Sequence, residues 1–280
     1  MTRKACVIGW PIGHSRSPLI HGYWLKRYGI AGAYERVAVP AADLRAFLSS
    51  LADKGYAGCN VTLPHKEDVF RAVRIADDAT SRLRVVNTVF HRDGELWGTS
   101  TDGEGFLANL TAQVPKWRAE NCTTVVLGAG GAARAIVGAL LDAGSHRVFV
   151  VNRTLARAEE LRRDFGSRVT PRNWSDGAQL LGDAELLVNT TSLGMTGQSP
   201  LALDLAGLPH SSVVADIVYT PLETDLLMRA RARGNLVVPG LGMLLHQAVR
   251  GFELWFGQRP EVTPELYDLV ARDIAPGFKR

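Results

Sequence analysis

Thr123-Thr-Val-Val-Leu-Gly-Ala-Gly-Gly-Ala-Ala-Arg134 is a β-branched run that breaks into glycines and then into an alanine-rich segment. This order of residue types predicts a buried strand over 123–127, a turn tight enough to need Gly128, and a helix over 132–143 that Gly144 ends. Gly130 leaves the backbone bare where a pyrophosphate would approach, and Ala133 is small enough for helix and strand to pack closely. The N–H groups at the start of the helix then point at phosphate oxygens. Ordinary strand-to-helix turns also carry such glycines, so the next strand has to decide.

His146-Arg-Val-Phe-Val-Val151 runs into Asn152-Arg153-Thr154, where the second strand of a βαβ unit meets a ribose. Asn152 lies 24 positions after Gly128 (152 minus 128), near the ~20-residue offset of a ribose-reading side chain. An Asp or Glu there would accept from a 2′-hydroxyl. Arg153, with Arg157 one helical turn later, instead offers cationic forks to a 2′-phosphate. NADP is therefore the predicted cofactor.

With 280 residues, 46% of them hydrophobic and 8% aromatic, the chain has the length of two domains and an ordinary globular composition. Its net charge of +4 is scattered without a basic block, which speaks against nucleic-acid or membrane-surface partners. Cys6, Cys59 and Cys122 are odd in number and far apart, without a CxxC pair, so neither a disulfide framework nor a metal site is predicted. No window approaches the ~18 apolar residues of a membrane span, and the apolar stretch 5–8 is too short for a signal-peptide core. A cytoplasmic protein acting on a small molecule is the expectation.

Upstream of the glycine turn, strand and helix signals alternate. Lys4 to Ile8 reads as a buried strand ending in Gly9-Trp-Pro-Ile-Gly-His-Ser-Arg-Ser-Pro18, where Ser17-Pro18 has the form of a helix cap with proline at the first helical position. Ser15 and Ser17, ahead of a helix N-terminus, can also donate to a carboxylate. Taken alone, Ser17 reads more simply as a cap, and His14 and His21 as structural. A strand over 34–39 leads to a helix over 42–54. Cys59-Asn-Val-Thr-Leu63 is the next strand and delivers Pro64-His65-Lys66 at its carboxyl end, where ligands of open α/β sheets collect. A lysine partly withdrawn from water there can serve as a proton donor.

A helical stretch over 68–84 is expected next, then a hairpin of 85–90 and 96–100 turned at Asp93-Gly94. Asn87 and Thr88 lie on its first strand, Thr101 and Asp102 at the end of its second. Asp102 opens the helix 103–113, where it can cap the helix or serve the chemistry. That helix, followed by Pro115 and the polar stretch 116–121, reads as a bridge between domains. Beyond the glycine turn come a helix over 154–165, a strand near Val169, strands over 185–189, 211–218 and 235–238, and a helix after Pro221. Asn189-Thr-Thr-Ser-Leu-Gly194 stands at a strand end where a cofactor would sit. A long apolar helix to Phe256, beginning in Pro239-Gly-Leu-Gly-Met-Leu-Leu-His-Gln-Ala248, and a helix over 264–274 close the chain.

Taken together, the motifs resemble the shikimate dehydrogenase family along essentially the whole length. Gly9-x-Pro-Ile-x-His-Ser-x-Ser-Pro18, Asn60-Val-Thr-x-Pro-x-Lys66, Val86-Asn-Thr88, Thr101-Asp-Gly-x-Gly105, Gly128-Ala-Gly-Gly-Ala132, Asn152-Arg-Thr154, Asp216-x-x-Tyr-x-Pro221 and Gly240-x-Gly-Met-Leu-x-His-Gln247 occur in the family's order. The resemblance implies reversible, NADP-dependent reduction of 3-dehydroshikimate to shikimate in aromatic amino-acid biosynthesis. It implies Lys66 as the proton donor and Asp102 as its orienting partner. Ser15 and Ser17 would hold the substrate carboxylate, Thr62, Asn87 and Gln247 would read ring hydroxyls, and Tyr219 would touch substrate or nicotinamide. Gly130, Gly131 and Ala132 would meet the pyrophosphate, with Gly128 forming the turn. Asn152, Arg153, Thr154 and Arg157 would surround the 2′-phosphate, and Gly240 and Met243 would lie near the nicotinamide. Two positions depart from the family's usual residues: Ser100 and Gly22 each stand where the family has Asn.

The fold class expected is α/β, with two α/β domains. Residues 1–103 completed by 240–280 form a substrate-binding domain, to which the C-terminal helices return. Residues 104–239 form a Rossmann-like NADP domain, the site lying in the cleft and hinges near Gly103 and Gly240. The family contains monomers and homodimers. Three rivals are a quinate/shikimate dehydrogenase of broader substrate and cofactor range, a non-catalytic relative that binds NADP or shikimate, and a methylenetetrahydrofolate dehydrogenase. The Ser15/Ser17 loop argues against the last, and Lys66 together with Asp102 against the second.

Overall fold

Runs of β-branched and apolar residues become strands, and the segments between them become helices, in a computed structural model that describes residues 3–120 and 122–278. Asn121, at the end of the polar stretch 116–121, lies outside the described residues. The chain divides into two compact units, one running to Asp102 and completed by Gln247–Val270, the other spanning Gly103–His246 and taking in the chain from Ala271 on.

The first unit holds β1 (Arg3–Gly9), α1 (Ser17–Arg27), β2 (Gly32–Ala38), α2 (Leu44–Ser49), β3 (Tyr56–Val61), α3 (Lys66–Phe70), β4 (Arg74–Ile75), α4 (Asp78–Leu83), β5 (Thr88–Arg92) and β6 (Glu95–Thr99). Its six-stranded sheet has the order β2-β1-β3-β5-β6-β4. β1 pairs in parallel with β2 and β3, whereas β5 runs antiparallel to both β3 and β6. The hairpin turns at Asp93 (φ 52°) and Gly94 (φ 78°), the two left-handed residues a type I′ turn needs. Cys6, Ile8, Phe47, Leu48 and Val61 build the core on one face.

Two helices expected here are shorter than their sequence signals. The stretch 68–84 is α3, β4 and α4 in succession, because Arg74 and Ile75 pair with Trp97 and Gly98. The Asp77 side chain then starts a new helix by accepting from Thr80 N–H at 2.7 Å. The stretch 42–54 is a 3₁₀ turn (Ala41–Asp43) followed by α2 alone. Ser17 is not a cap: Arg16 occupies the cap position of α1, with no side-chain cap bond.

The second unit follows α5 (Asp102–Gln113) with β7 (Thr123–Leu127), α6 (Gly131–Asp142), β8 (Arg147–Asn152), α7 (Leu155–Phe165) and β9 (Val169–Asn173), then a 3₁₀ run over Trp174–Asp183. It continues with β10 (Leu186–Asn189), β11 (Val213–Asp216), α8 (Asp225–Ala232) and β12 (Leu236–Val238), after which α9 (Leu241–Phe256) and α10 (Pro264–Ile274) end the chain. All six strands are parallel, in the order β12-β11-β10-β7-β8-β9. This is the doubly wound arrangement, with the chain reversing direction across the sheet between β7 and β10. Val126, Val148, Val150 and Val188 face one apolar cluster, while Val125, Leu127 and Leu187 face the other. Burial on both faces explains why these strands read as continuous apolar runs.

Candidate active site

In the first unit Lys66, Asn87, Asp102 and Gln247 are brought together by backbone and side-chain bonds. Lys66 opens α3, and its carbonyl accepts from Val86 N–H at 3.0 Å. Its ammonium donates to Asp102 Oδ2, the two side chains being 15% and 8% exposed. A charge-assisted bond so withdrawn from water is stronger than a surface pair. The other carboxylate oxygen of Asp102 accepts from Asn87 Nδ2 at 2.8 Å. Both oxygens of Asp102 thus bond side chains.

Asn87 Nδ2 also reaches Thr101 Oγ1 at 3.0 Å and Gln247 Oε1 at 3.4 Å, while its Oδ1 accepts from Thr101 N–H at 2.9 Å and Thr88 Oγ1 at 3.0 Å. With two amide protons for these acceptors, Asp102 and Thr101 hold the shorter bonds. Thr101 Oγ1 donates to the Gln247 carbonyl at 2.8 Å, fixing the start of the first unit's share of α9.

Ser15 and Ser17 form a second, buried group. Ser15 Oγ donates to Ser17 Oγ and accepts from Ser17 N–H, both at 3.3 Å. These bonds are long, so little is lost when either hydroxyl turns to a ligand oxygen. The Ser15 backbone is held by its N–H on the Ile12 carbonyl at 3.1 Å and by Arg36 Nε, which donates to its carbonyl at 2.8 Å. Thr62 follows β3, with its N–H on the Ile8 carbonyl at 2.9 Å and its γ-methyl over Gly9, where a Cβ would come within 2.6 Å.

In the second unit Gly128 N–H donates to the Val151 carbonyl at 2.8 Å, setting the glycine turn beside the end of β8. Its φ of +106° and the 2.7 Å that would separate a Cβ from Thr190 Oγ1 both demand glycine. Gly130 caps α6 without a side-chain bond, and a Cβ there would meet nothing within 4 Å. The first N–H groups of this 12-residue helix, including those of Gly131 and Ala132, have no partner within the helix, as an anion site at a helix N-terminus requires. Asn152 Nδ2 is turned back on the Thr154 carbonyl at 2.8 Å. Arg153, Thr154 and Arg157 are exposed, and neither guanidinium is paired with a carboxylate among the described residues. These donors fit a dinucleotide that carries a 2′-phosphate.

Tyr219, half-buried, follows Val218, whose N–H donates to Asp216 Oδ1 at 3.0 Å. Gly240 lies against the carbonyls of Ile217 and Val218, and Met243 is packed in the apolar core with Phe106 and Val238. Asp216 also accepts from Asn189 Nδ2 at 2.9 Å and Thr224 Oγ1 at 2.7 Å. Burial pushes its carboxyl up to about 6 in spite of those bonds. Asn189 Oδ1 accepts in turn from Thr191 Oγ1 at 2.7 Å, and Thr190 Oγ1 donates to the Leu127 carbonyl at 2.6 Å. The loops after β10 and β11 are thereby tied to the glycine turn.

The match to known proteins agrees with this geometry. Residues 7–89 match the shikimate dehydrogenase substrate binding domain, 110–196 the shikimate / quinate 5-dehydrogenase family and 240–264 the shikimate 5′-dehydrogenase C-terminal domain. The NADP(+) shikimate dehydrogenase of Methylocella silvestris is 56% identical over 97% of this chain and 96% of its own. The chain belongs to the shikimate dehydrogenase family. Among solved members, the Thermus thermophilus shikimate 5-dehydrogenase in complex with NADP(H) and shikimate is 36% identical, with a TM-score of 0.85 over 98% of this chain and 100% of its own. A quinate dehydrogenase from Corynebacterium glutamicum in complex with NAD is 29% identical, with a TM-score of 0.88 over 96% of this chain and 98% of its own.

The two departures from the family pattern leave the Lys66 group intact. Ser100 N–H donates to Thr80 Oγ1 at 3.0 Å and its hydroxyl is buried without a partner, while Gly22 is exposed with open space around it. Among the described residues no cluster of His, Cys, Asp or Glu is arranged to hold a metal, and no helix is long and apolar enough to cross a membrane. Sequence reasoning gave no site role to Tyr34 or Thr224, and it marked Asn60, Thr101 and Asn189 only as members of motifs. Their one local signal is a polar group beside or within an apolar strand, which announces a buried partner without naming it.

Proposed function

We propose that this enzyme interconverts 3-dehydroshikimate and shikimate with NADP(H), the first unit binding the substrate and the second the cofactor. The nearly buried Lys66–Asp102 pair, oriented by Asn87, carries the reading. The glycine turn and α6 N-terminus take the pyrophosphate, and Arg153 with Arg157, Asn152 and Thr154 take the 2′-phosphate. Bound NADPH supplies the hydride that the C3 carbonyl carbon of the substrate receives.

The rest falls to the chain's own residues. Charge grows on the C3 oxygen as the carbonyl is reduced, and Lys66 Nζ donates first a hydrogen bond and then its proton to that oxygen. In the reverse direction the neutral amine takes the proton back. Asp102 holds Nζ in place and accepts a ring hydroxyl, while Thr62, Asn87 and Gln247 orient the others. Ser15 and Ser17 exchange their long mutual bond for the substrate carboxylate. Tyr219 contacts the substrate or the nicotinamide, Gly240 allows close backbone approach near it, and Met243 contributes packing there. The enzyme acts in the cytoplasm, as a monomer or a homodimer.

The quinate dehydrogenase likeness gives quinate and NAD a place in the test. Nicotinamide absorbance is followed with shikimate or quinate against NADP or NAD. Fast reduction with shikimate and NADP alone is expected. Comparable turnover of quinate, or with NAD, would move the chain to the broader quinate/shikimate group, and ligand binding by folded protein without turnover would make it a binding-only relative.

A further inference from the structure

We propose that Tyr34 and Asn60 are positioning residues for Lys66, linking the Ser15/Ser17 end of the first unit to Asp102 through a buried file of hydrogen bonds. The inference rests on the shikimate dehydrogenase reading. Tyr34 lies on β2 and Asn60 on β3, the two strands that flank β1. The Tyr34 hydroxyl donates to Asn60 Oδ1 at 2.6 Å, and the Ser17 hydroxyl is a further polar neighbour of it. Asn60 Nδ2 donates to the Asn87 carbonyl at 3.2 Å and to Thr88 Oγ1 at 3.1 Å. Thr88 Oγ1 donates a hydrogen bond to Asn87 Oδ1 at 3.0 Å, and Asn87 Nδ2 donates to Asp102 Oδ1 at 2.8 Å, beside Lys66.

The direction of every link is set by chemistry. The Asn87 carbonyl can only accept, so Asn60 must present its NH₂ there and its oxygen to Tyr34. Tyr34, Asn60, Thr88 and Asn87 are all buried, so water does not substitute for a missing link. The ring of Tyr34 is held independently of its hydroxyl, stacked on His21 at 3.9 Å between centroids with 6° between planes, and tilted against Trp255 at 5.9 Å. Tyr34→Phe therefore removes the hydroxyl and leaves the packing. Asn60 Oδ1 then loses its 2.6 Å bond and keeps only the neighbouring His21 ring as a polar contact, and a flip gives no relief because it would set oxygen against the Asn87 carbonyl. Asn60 tilts, and the Asn87 amide that aims Asp102 at Lys66 tilts with it.

The test is steady-state oxidation of shikimate with NADP by the full chain as wild type, Tyr34→Phe, Asp102→Asn and the double variant, with thermal melting in parallel. One buried hydrogen bond lost from the aligned state corresponds to a kcat about fivefold or more lower in Tyr34→Phe, with the protein folded at the assay temperature. In the Asp102→Asn background the same change should cost less than about twofold, since the file then ends on an altered residue. Unchanged kcat, or equal fold losses in both backgrounds, would overturn the proposal and leave Tyr34 a packing residue. Thr88→Val breaks a second link and is read by the same two criteria, deciding the matter if Tyr34→Phe does not fold. A wild type inactive on shikimate would refute the underlying functional reading instead.

Discussion

Replacing Lys66 by alanine separates the chemistry from binding and from stability. The local backbone has no cause to move, since the Lys66 carbonyl stays on Val86 N–H at 3.0 Å and Val69 N–H stays on the His65 carbonyl at 2.9 Å. On the proposed mechanism the proton donor for the C3 oxygen disappears, and a positioned acid contributes about 10²–10⁴ in rate. We therefore expect kcat to fall at least a hundredfold on that scale, while the shikimate KM changes by less than about tenfold. Asp102 meanwhile loses its cation with its side chain only 8% exposed. Breaking a buried pair costs about 3–5 kcal/mol, and the surviving Asn87 bond together with partial exposure of Lys66 brings this to roughly 2–3 kcal/mol. At about 2–4 °C per kcal/mol for large domains, melting should drop by roughly 5–10 °C. Lys66→Ala combined with Asp102→Asn removes the stranded charge, so melting should recover while turnover does not. Steady-state kinetics and a thermal melt on the three proteins check this. A single variant within tenfold of wild-type kcat, or a double variant that melts as low as the single one, would refute the reasoning.

On the proposed reading, Arg153→Asp replaces a charge-assisted donor worth about 1.5–3 kcal/mol by a like charge facing the 2′-phosphate. The kcat/KM for NADP should fall by about 10–100-fold or more on that scale and that for NAD should rise, and an unchanged NADP preference would show that the turn is read wrongly. Gly130→Ala meets nothing within 4 Å and should melt like wild type while the KM for NADP rises, whereas Gly128→Ala, at φ +106° and against Thr190, should melt lower; two variants with the same melting behaviour would contradict the two environments. Burial pushes His21 down to about 3, so between that value and the ordinary 6.5 the unfolded chain binds a proton the folded chain refuses, and stability should rise with pH. Asp216 works in the opposite sense: pushed by burial from 3.8 up to about 6, it contributes stability that is full below the lower value and lost as pH rises through the higher one. Melting curves taken from pH 3 to 7 should therefore flatten in His21→Phe and steepen in Asp216→Asn; unaltered slopes in both would sink this assignment.

The sequence by itself determined the elements whose signals are local. The run 123–134 dictates strand, turn and helix, because β-branched residues, a glycine with φ of +106° and an alanine-rich segment act on neighbours within a few positions. Arg153 sits where spacing from Gly128 puts it, Lys66 follows a strand end, and Asp93-Gly94 makes its turn. Tertiary structure decided what depends on partners distant along the chain. Arg74 and Ile75 left a helical pattern because Trp97 and Gly98 offered backbone bonds. The group around Asn87 draws on Lys66, Asp102 and Gln247, and the Tyr34–Asn60 link spans 26 positions. A buried polar side chain must find a partner, and the sequence displays that need without the address. Only the folded sheets, which bring the ends of β3, β5 and β6 together and set Thr101 against α9, supply it.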